Sequence, residues 1–135
     1  MSDSYFVDSN IWLYAFMESS AKTTKALALI NTQNIVLSTQ VINEVCVNLL
    51  KKAQYAEEEI KQTIHNFYAN YDVSIINQNI MLYASFIREK YFVSYLDSLI
   101  IATAIINNCP VIYSEDMQHN QAIENLRIIN PYKDE

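Results

Sequence analysis

The chain has 135 residues, the size of one ordinary domain. Hydrophobic residues make up 51% and charged residues 18%, which excludes a disordered chain and is ample for a globular core. Fifteen acidic residues against nine basic ones give a net charge of −6, so bulk charge does not suggest a polyanionic partner. A nucleic-acid role would need a local basic surface, bound cations, or both.

There is no glycine, where average usage would place roughly nine. A phosphate-cradling P-loop and a G-x-G-x-x-G fingerprint are therefore excluded. Asparagine takes over part of the turn work at Asn107-Asn108, Asn120 and Asn130, because it tolerates the left-handed backbone better than most residues. Cys46 and Cys109 are far apart in sequence and read as structural thiols of a reducing compartment. No apolar run approaches the roughly 20 residues that span a bilayer. Met1-Ser2-Asp3-Ser4 lacks the basic flank of a signal peptide. The expectation is a cytoplasmic protein, away from membranes.

Tyr5-Phe6-Val7 is a short apolar run ending at Asp8 and reads as a strand. Asp8 or Ser9 caps a short helix through Trp12, Leu13 and Phe16. Residues 21–30 are rich in alanine and leucine and read as a helix. Ile35-Val36-Leu37 is a second strand, and Ser38-Thr39 cap a helix on which Val41, Ile42, Val45, Cys46 and Leu49 recur at helical spacing. Residues 56–70 form another helix, with Glu57-Glu58-Glu59 favouring its start. A strand at Val73-Ser74-Ile75-Ile76 and a helix over 77–90 follow. Ser94-Tyr95-Leu96-Asp97 has the form of a capping box before a nearly all-apolar helix over 99–106. Val111-Ile112-Tyr113 and Arg127-Ile128-Ile129 are the last strands. Strands separated by helices imply a mostly parallel sheet with helices on both faces.

Four acids stand out by position. Asp8 and Asp116 lie just past strands, at the carboxyl edge where open α/β sheets bind ligands. Glu44 lies in a helix that starts directly after a strand, among Val41, Val45 and Cys46. Asp97 lies in the first turn of the apolar helix. Each has a plainer reading as well: Asp97 as the capping-box acid, Asp8 and Asp116 as turn or N-cap residues, Glu44 as a solvated side chain. Four carboxylates at one end of a sheet cannot all stay ionised without compensation. With no histidine pair or cysteine cluster to suggest zinc, Mg²⁺ or Mn²⁺ is the matching cation. Such a site activates water against a phosphodiester.

Four segments carry a family likeness. Phe6-Val7-Asp8-Ser9-Asn10 resembles the opening strand motif of PIN-domain proteins. Asn43-Glu44-Val45 resembles that family's helical acid. Tyr95-Leu96-Asp97-Ser98-Leu99-Ile100-Ile101-Ala102-Thr103-Ala104 resembles its third motif, and Ile112-Tyr113-Ser114-Glu115-Asp116-Met117-Gln118-His119 its fourth. The likeness runs from Phe6 to about Ile129, and its small form is similar to VapC-type toxins of toxin–antitoxin pairs. It implies an α/β three-layer sandwich, with a central, mostly parallel five-stranded sheet flanked by helices, in a single domain over 1–135. It implies metal-dependent RNA cleavage, with Asp8, Glu44, Asp97 and Asp116 as catalytic, metal-binding acids and Asn10 and Ser114 supporting the pocket. Mg²⁺ or Mn²⁺ is the implied cofactor. RNA substrate, a cognate antitoxin and a homodimer are the implied partners.

Around that set, Lys51, Lys52, Arg88, Lys90 and Arg127 are candidates for RNA phosphates, and His119 for an RNA contact. For all six the commoner use is as solvated surface residues. Trp12, Tyr14, Phe16, Met17, Tyr55 and Tyr68 are candidates for a protein partner, with core packing as the commoner use of aromatic residues. The alternatives in function are a PIN-type nuclease acting on DNA or in RNA maturation, and a non-catalytic protein-binding α/β module. In relatives the loop after the fourth motif often carries glycine where Asn120 stands here, and a left-handed asparagine preserves that turn.

Overall fold

A computed structural model describes residues 3–17 and 21–133 of the chain; Met1 and Ser2, part of the N-terminal reading above, lie outside them. The elements follow as β1 (Ser4–Val7), α1 (Ser9–Phe16), α2 (Ala21–Thr32), β2 (Asn34–Ser38), α3 (Thr39–Lys52) and α4 (Glu57–Asn70). After these come β3 (Asp72–Ser74), α5 (Gln78–Lys90), α6 (Tyr95–Ile106), β4 (Val111–Tyr113), β5 (Ala122–Ile123) and β6 (Leu126–Ile129). The sheet runs in the order β3-β2-β1-β4-β6-β5. Every pairing is parallel except β5 with β6.

Local chemistry sets the helix starts. Asp8 caps α1, Ser38 caps α3, Asn77 caps α5 and Ser94 caps α6, each through a side-chain oxygen that accepts a backbone N–H. Ala56 has no such oxygen, so α4 is capped from the other side, with Ala56 N–H donating to Glu59 Oε1 at 2.8 Å. The caps put the starts of α4 and α5 one residue later than the ranges read from the sequence, at Glu57 and Gln78.

The core is Phe6 and Val7 of β1, Val36 and Leu37 of β2, and Ile112 and Ile128 of β4 and β6, closed by Ile11, Val41, Val45, Leu49, Phe67 and Ile101 from the helices. Trp12 belongs to it: the indole N–H donates to Val7 O at 3.1 Å, and Phe67 and Tyr71 meet the ring edge-on. Packing is therefore one role of that aromatic residue. Ile80 and Ala84 of α5 meet Leu99 and Ala102 of α6 in a smaller cluster. No helix of the described residues is long and apolar enough to cross a membrane.

Two details correct the sequence reading. The strand expected at 73–76 stops at Ser74. It is an edge strand whose only neighbour, β2, ends at Ser38, and Ser38 pairs with Ser74. Ile75 thus has no rung to join and is 70% exposed. The sheet also has six strands rather than five, because two residues, Ala122 and Ile123, fold back on β6.

Among the described residues, the expected asparagines carry two of the four left-handed positions. Asn108 has φ 60° and Asn120 has φ 68°, while Gln54 (φ 55°) and Glu124 (φ 53°) do the same without an asparagine's help. Asn107 and Asn130 serve by hydrogen bonding instead. Asn107 caps the end of α6, and Asn130 Oδ1 accepts from Tyr132 N–H at 2.9 Å.

Candidate active site

The order β3-β2-β1-β4 makes β1 the switch point of the parallel sheet. The chain leaves β1 toward β2 on one side and returns to β4 on the other, which opens a crevice at the carboxyl end of β1. Asp8 stands there as the residue after β1 and the N-cap of α1. Ser114 and Asp116 follow β4. Glu44 comes from α3, which starts directly after β2, and Asp97 from the first turn of α6.

Asp8 is only 5% exposed. One carboxylate oxygen accepts from Ser9 N–H at 2.7 Å and the other from the Ser114 hydroxyl at 2.8 Å. Burial pushes its carboxyl up from 3.8 to about 6; those two hydrogen bonds oppose the rise, and Glu44 and Asp97 add to it. The Ser9 hydroxyl donates to Glu44 Oε1 at 2.8 Å, and Gln40 Nε2 donates to Glu44 Oε2 at 2.9 Å. Ser9 thus joins two of the acids, its N–H on Asp8 and its hydroxyl on Glu44. Asp97 is half-buried, and burial raises its carboxyl, opposed by Ser94 and reinforced by Asp116 and Glu44. Asp116 is exposed. Glu44 and Asp97 are thus felt at Asp8, and Asp116 and Glu44 at Asp97.

The PIN domain family profile matches residues 5–124. The chain belongs to the PIN domain family. No curated protein sequence matches it significantly. Its fold is similar to that of a toxin–antitoxin complex from Klebsiella pneumoniae, with TM-score 0.74 and 18% identity over 96% of this chain and 98% of that one. A sarcin–ricin-loop-cleaving VapC toxin of Mycobacterium tuberculosis superposes with TM-score 0.66 at 14% identity, covering 80% of this chain and 86% of that one. A DNA-bound VapBC from Salmonella typhimurium gives TM-score 0.66 at 15% identity, covering 93% and 96%.

Within this PIN domain, the two supporting residues read from the sequence sit beside the acids. Ser114 is buried; its hydroxyl donates to Asp8 and accepts from Met117 N–H at 3.3 Å. Asn10 Oδ1 accepts from Glu115 N–H at 3.4 Å, and its Nδ2 is buried with no partner among the described residues. Glu115, next to Asp116, is bonded to Lys22 and Tyr14. Burial acts against its charge, but Lys22 and the Tyr14 hydroxyl hold its carboxyl below the usual range.

The candidate RNA residues divide. Lys52 lines a cavity together with Asp116. Arg88 is committed elsewhere: it donates to Ser98 Oγ at 2.7 Å and lies over the Tyr95 ring. Lys90 pairs with Glu124 at 2.9 Å, and Arg127 donates to Asn120 O at 2.8 Å. His119 Nδ1 accepts from Asn130 N–H at 2.9 Å, which ties the loop after Asp116 to the chain after β6. Lys51 is exposed. Sequence reasoning passed over Ser9 as a link between acids, Gln40, and the Lys22–Glu115–Tyr14 group. Ser9 and Gln40 were legible in part, since both stand at the start of a helix, Ser9 next to Asp8 and Gln40 one turn before Glu44. Lys22 had no signal, because its partner is 93 positions away.

Proposed function

We propose that this PIN domain is a divalent-metal-dependent endoribonuclease, the toxin of a type II toxin–antitoxin pair. The observation that carries the reading is that Asp8 and Asp97 each feel neighbouring acids, Glu44 and Asp97 at the first and Asp116 and Glu44 at the second, with no ion pair to any of the four among the described residues. The ion pairs among those residues go to Glu115 and Glu124. The oxygens of the four acids fit Mg²⁺ or Mn²⁺ in kind and in charge. No three described histidine, cysteine, aspartate or glutamate side chains are grouped closely enough to hold an ion as they stand. Asp116 is exposed, which leaves it room to turn toward Glu44, whose two oxygens are held by Ser9 and Gln40.

The four acids would hold the ion or ions. Bound there, the cation supplies Lewis acidity, polarising a phosphoryl oxygen and making water acidic enough to attack a phosphodiester. The chain's own work is positioning. Ser114 and Ser9 N–H fix both oxygens of Asp8, and the Ser9 hydroxyl sets Glu44 against it. No side chain forms a covalent bond to substrate.

Total RNA incubated with purified protein, with Mg²⁺ or Mn²⁺ and with chelator, tests the reading. Discrete metal-dependent fragments are expected. They should fall by more than about 100-fold in Asp97→Asn, beyond the usual cost of losing a group that merely supports a metal ligand. A matched DNA strand should remain intact. Cleavage that survives chelator, or that Asp97→Asn leaves unchanged, would overturn it.

Two partners complete the proposal. An apolar cleft of about 370 Å³ between α1, α2 and α4, lined by Trp12, Phe16, Leu27, Ile30 and Phe67, would seat the antitoxin. Phe16→Asp should then prevent the antitoxin from silencing cleavage, and unchanged silencing would refute that seat. The exposed Leu82, Phe86, Phe92 and Leu96 on and around α5 and α6 would bury against a second copy. Light scattering at micromolar protein reads this directly, and a monomer would count against it.

A further inference from the structure

Asp116 and Asn10 also form part of the wall of a cavity of about 330 Å³ that lies between α1 and the last turn of α3. That is within the range of small-ligand sites. Its α1 side is Asn10, Leu13, Tyr14 and Met17. These positions follow the i, i+3, i+4, i+7 rule of one helical face. α1 already buries another face, with Ile11 and Trp12 in the core. The second face is half-buried and mostly apolar; it packs in part against the core and in part lines this cavity.

The wall is braced from behind. The Tyr14 hydroxyl is bonded to Glu115, Tyr132 meets its ring edge-on at 5.4 Å, and the Lys22 ammonium lies 4.9 Å from the ring centre. Glu115 is already satisfied by Lys22 and Tyr14. Lys52, on the α3 side, makes no ion pair among the described residues, although two carboxylates share its cavity. Asn10 Nδ2 is a buried donor without a partner among those residues. One aromatic and two aliphatic side chains, an amide donor and an uncommitted lysine are what a splayed-out nucleotide uses. The base needs an apolar surface, its edge needs a donor, and its phosphate needs a cation.

We propose that this cavity is a nucleotide subsite: it takes the base beside the cut against Leu13, Tyr14 and Met17, with Asn10 toward the base edge and Lys52 on the phosphate. The inference rests on the nuclease reading above. It adds the element that reads sequence next to the cut, and it explains how a chain of net charge −6 holds an RNA strand there.

The test uses an RNA oligonucleotide that contains a cut mapped in total RNA, with single abasic replacements walked across it. The wild-type protein should lose about tenfold or more in kcat/KM at one position flanking the cut, and little elsewhere. Leu13→Trp fills the cavity, so it should cut the intact strand about tenfold more slowly and no longer distinguish the abasic one. Lys52→Gln, on an exposed side chain, should raise KM with kcat nearly unchanged. It should also reduce the slope of log KM against log salt by about one. Circular dichroism melts establish that both variants fold. If Leu13→Trp fails to fold, Leu13→Ala replaces it and should widen tolerance at the same position.

Metal-dependent cutting that ignores abasic replacement at every position overturns the subsite and leaves the nuclease standing. So does unchanged cutting by both variants. A wild-type protein that cuts no RNA overturns both readings.

Discussion

Asp8 is a buried carboxylate held at a cost. In the unfolded chain it ionises near 3.8 and in the fold at about 6, so the folded protein keeps its proton longer. Between those values the folded state binds more protons than the unfolded one, and stability falls as pH rises through that window. Above it the loss is constant, on the order of 3 kcal/mol for a rise from 3.8 to about 6. Asp8→Asn in chelator should therefore raise the melting temperature at pH 7.5 and flatten the loss between pH 4 and pH 6. Asparagine keeps an acceptor for Ser9 N–H, and the Ser114 hydroxyl can turn to accept from the new amide. A variant less stable than wild type at pH 7.5 would refute the cost. At this scale the position of Asp8 was legible, because an aspartate straight after an apolar run marks the end of a strand and the cap of the next helix. The helpers of the acids were less so: Ser9 meets Glu44 across 35 positions, a distance no local pattern spans.

The elements show where local sequence stops being enough. A strand lasts as long as its neighbour offers rungs, which is why β3 ends at Ser74 although Ile75 and Ile76 are strand formers. A two-residue strand such as β5 has no periodicity to read and exists because its turn returns it to β6. Left-handed positions were legible where asparagine marked them and silent at Gln54 and Glu124. Glu124 is the first residue of a two-residue hairpin turn, a place glycine usually takes. Its side chain is held by Lys90 and by the Tyr91 hydroxyl, which also accepts from Glu124 N–H. Asn120 gives the cleaner test. Asn120→Ala should cost about 1 kcal/mol by urea unfolding and Asn120→Gly much less, since only the β-carbon is penalised at φ 68°. Equal losses in the two variants would show that the asparagine side chain, not the backbone, carries the turn.

Over the whole molecule, acidity and proposed activity meet in one quantity, the number of bound cations. Two divalent ions would bring the net charge from −6 to about −2 and ease the approach of a polyanion. They would also relieve the mutual repulsion of the four acids. Thermal stability should then rise with Mn²⁺ concentration, by about 2.7 kcal/mol at a hundredfold excess over Kd, and return to its starting value with chelator. Equal concentrations of K⁺ should not reproduce the effect. A melting temperature indifferent to Mn²⁺ would remove the cation from the account.

The backbone N–H of Asp8 donates to Tyr113 O at 2.9 Å, so the most buried acid is itself a rung of the central ladder. Asp116 sits beyond β4, exposed on a loop. The proposed site therefore straddles the extremes of local opening. In hydrogen exchange the Asp8 amide should open only with the sheet as a whole, while the Asp116 amide exchanges through small local fluctuations. A partner that binds at the loop end can arrest those fluctuations without disturbing β1. Control over such a site comes at low energetic expense from its exposed side, and its anchored side yields only to unfolding.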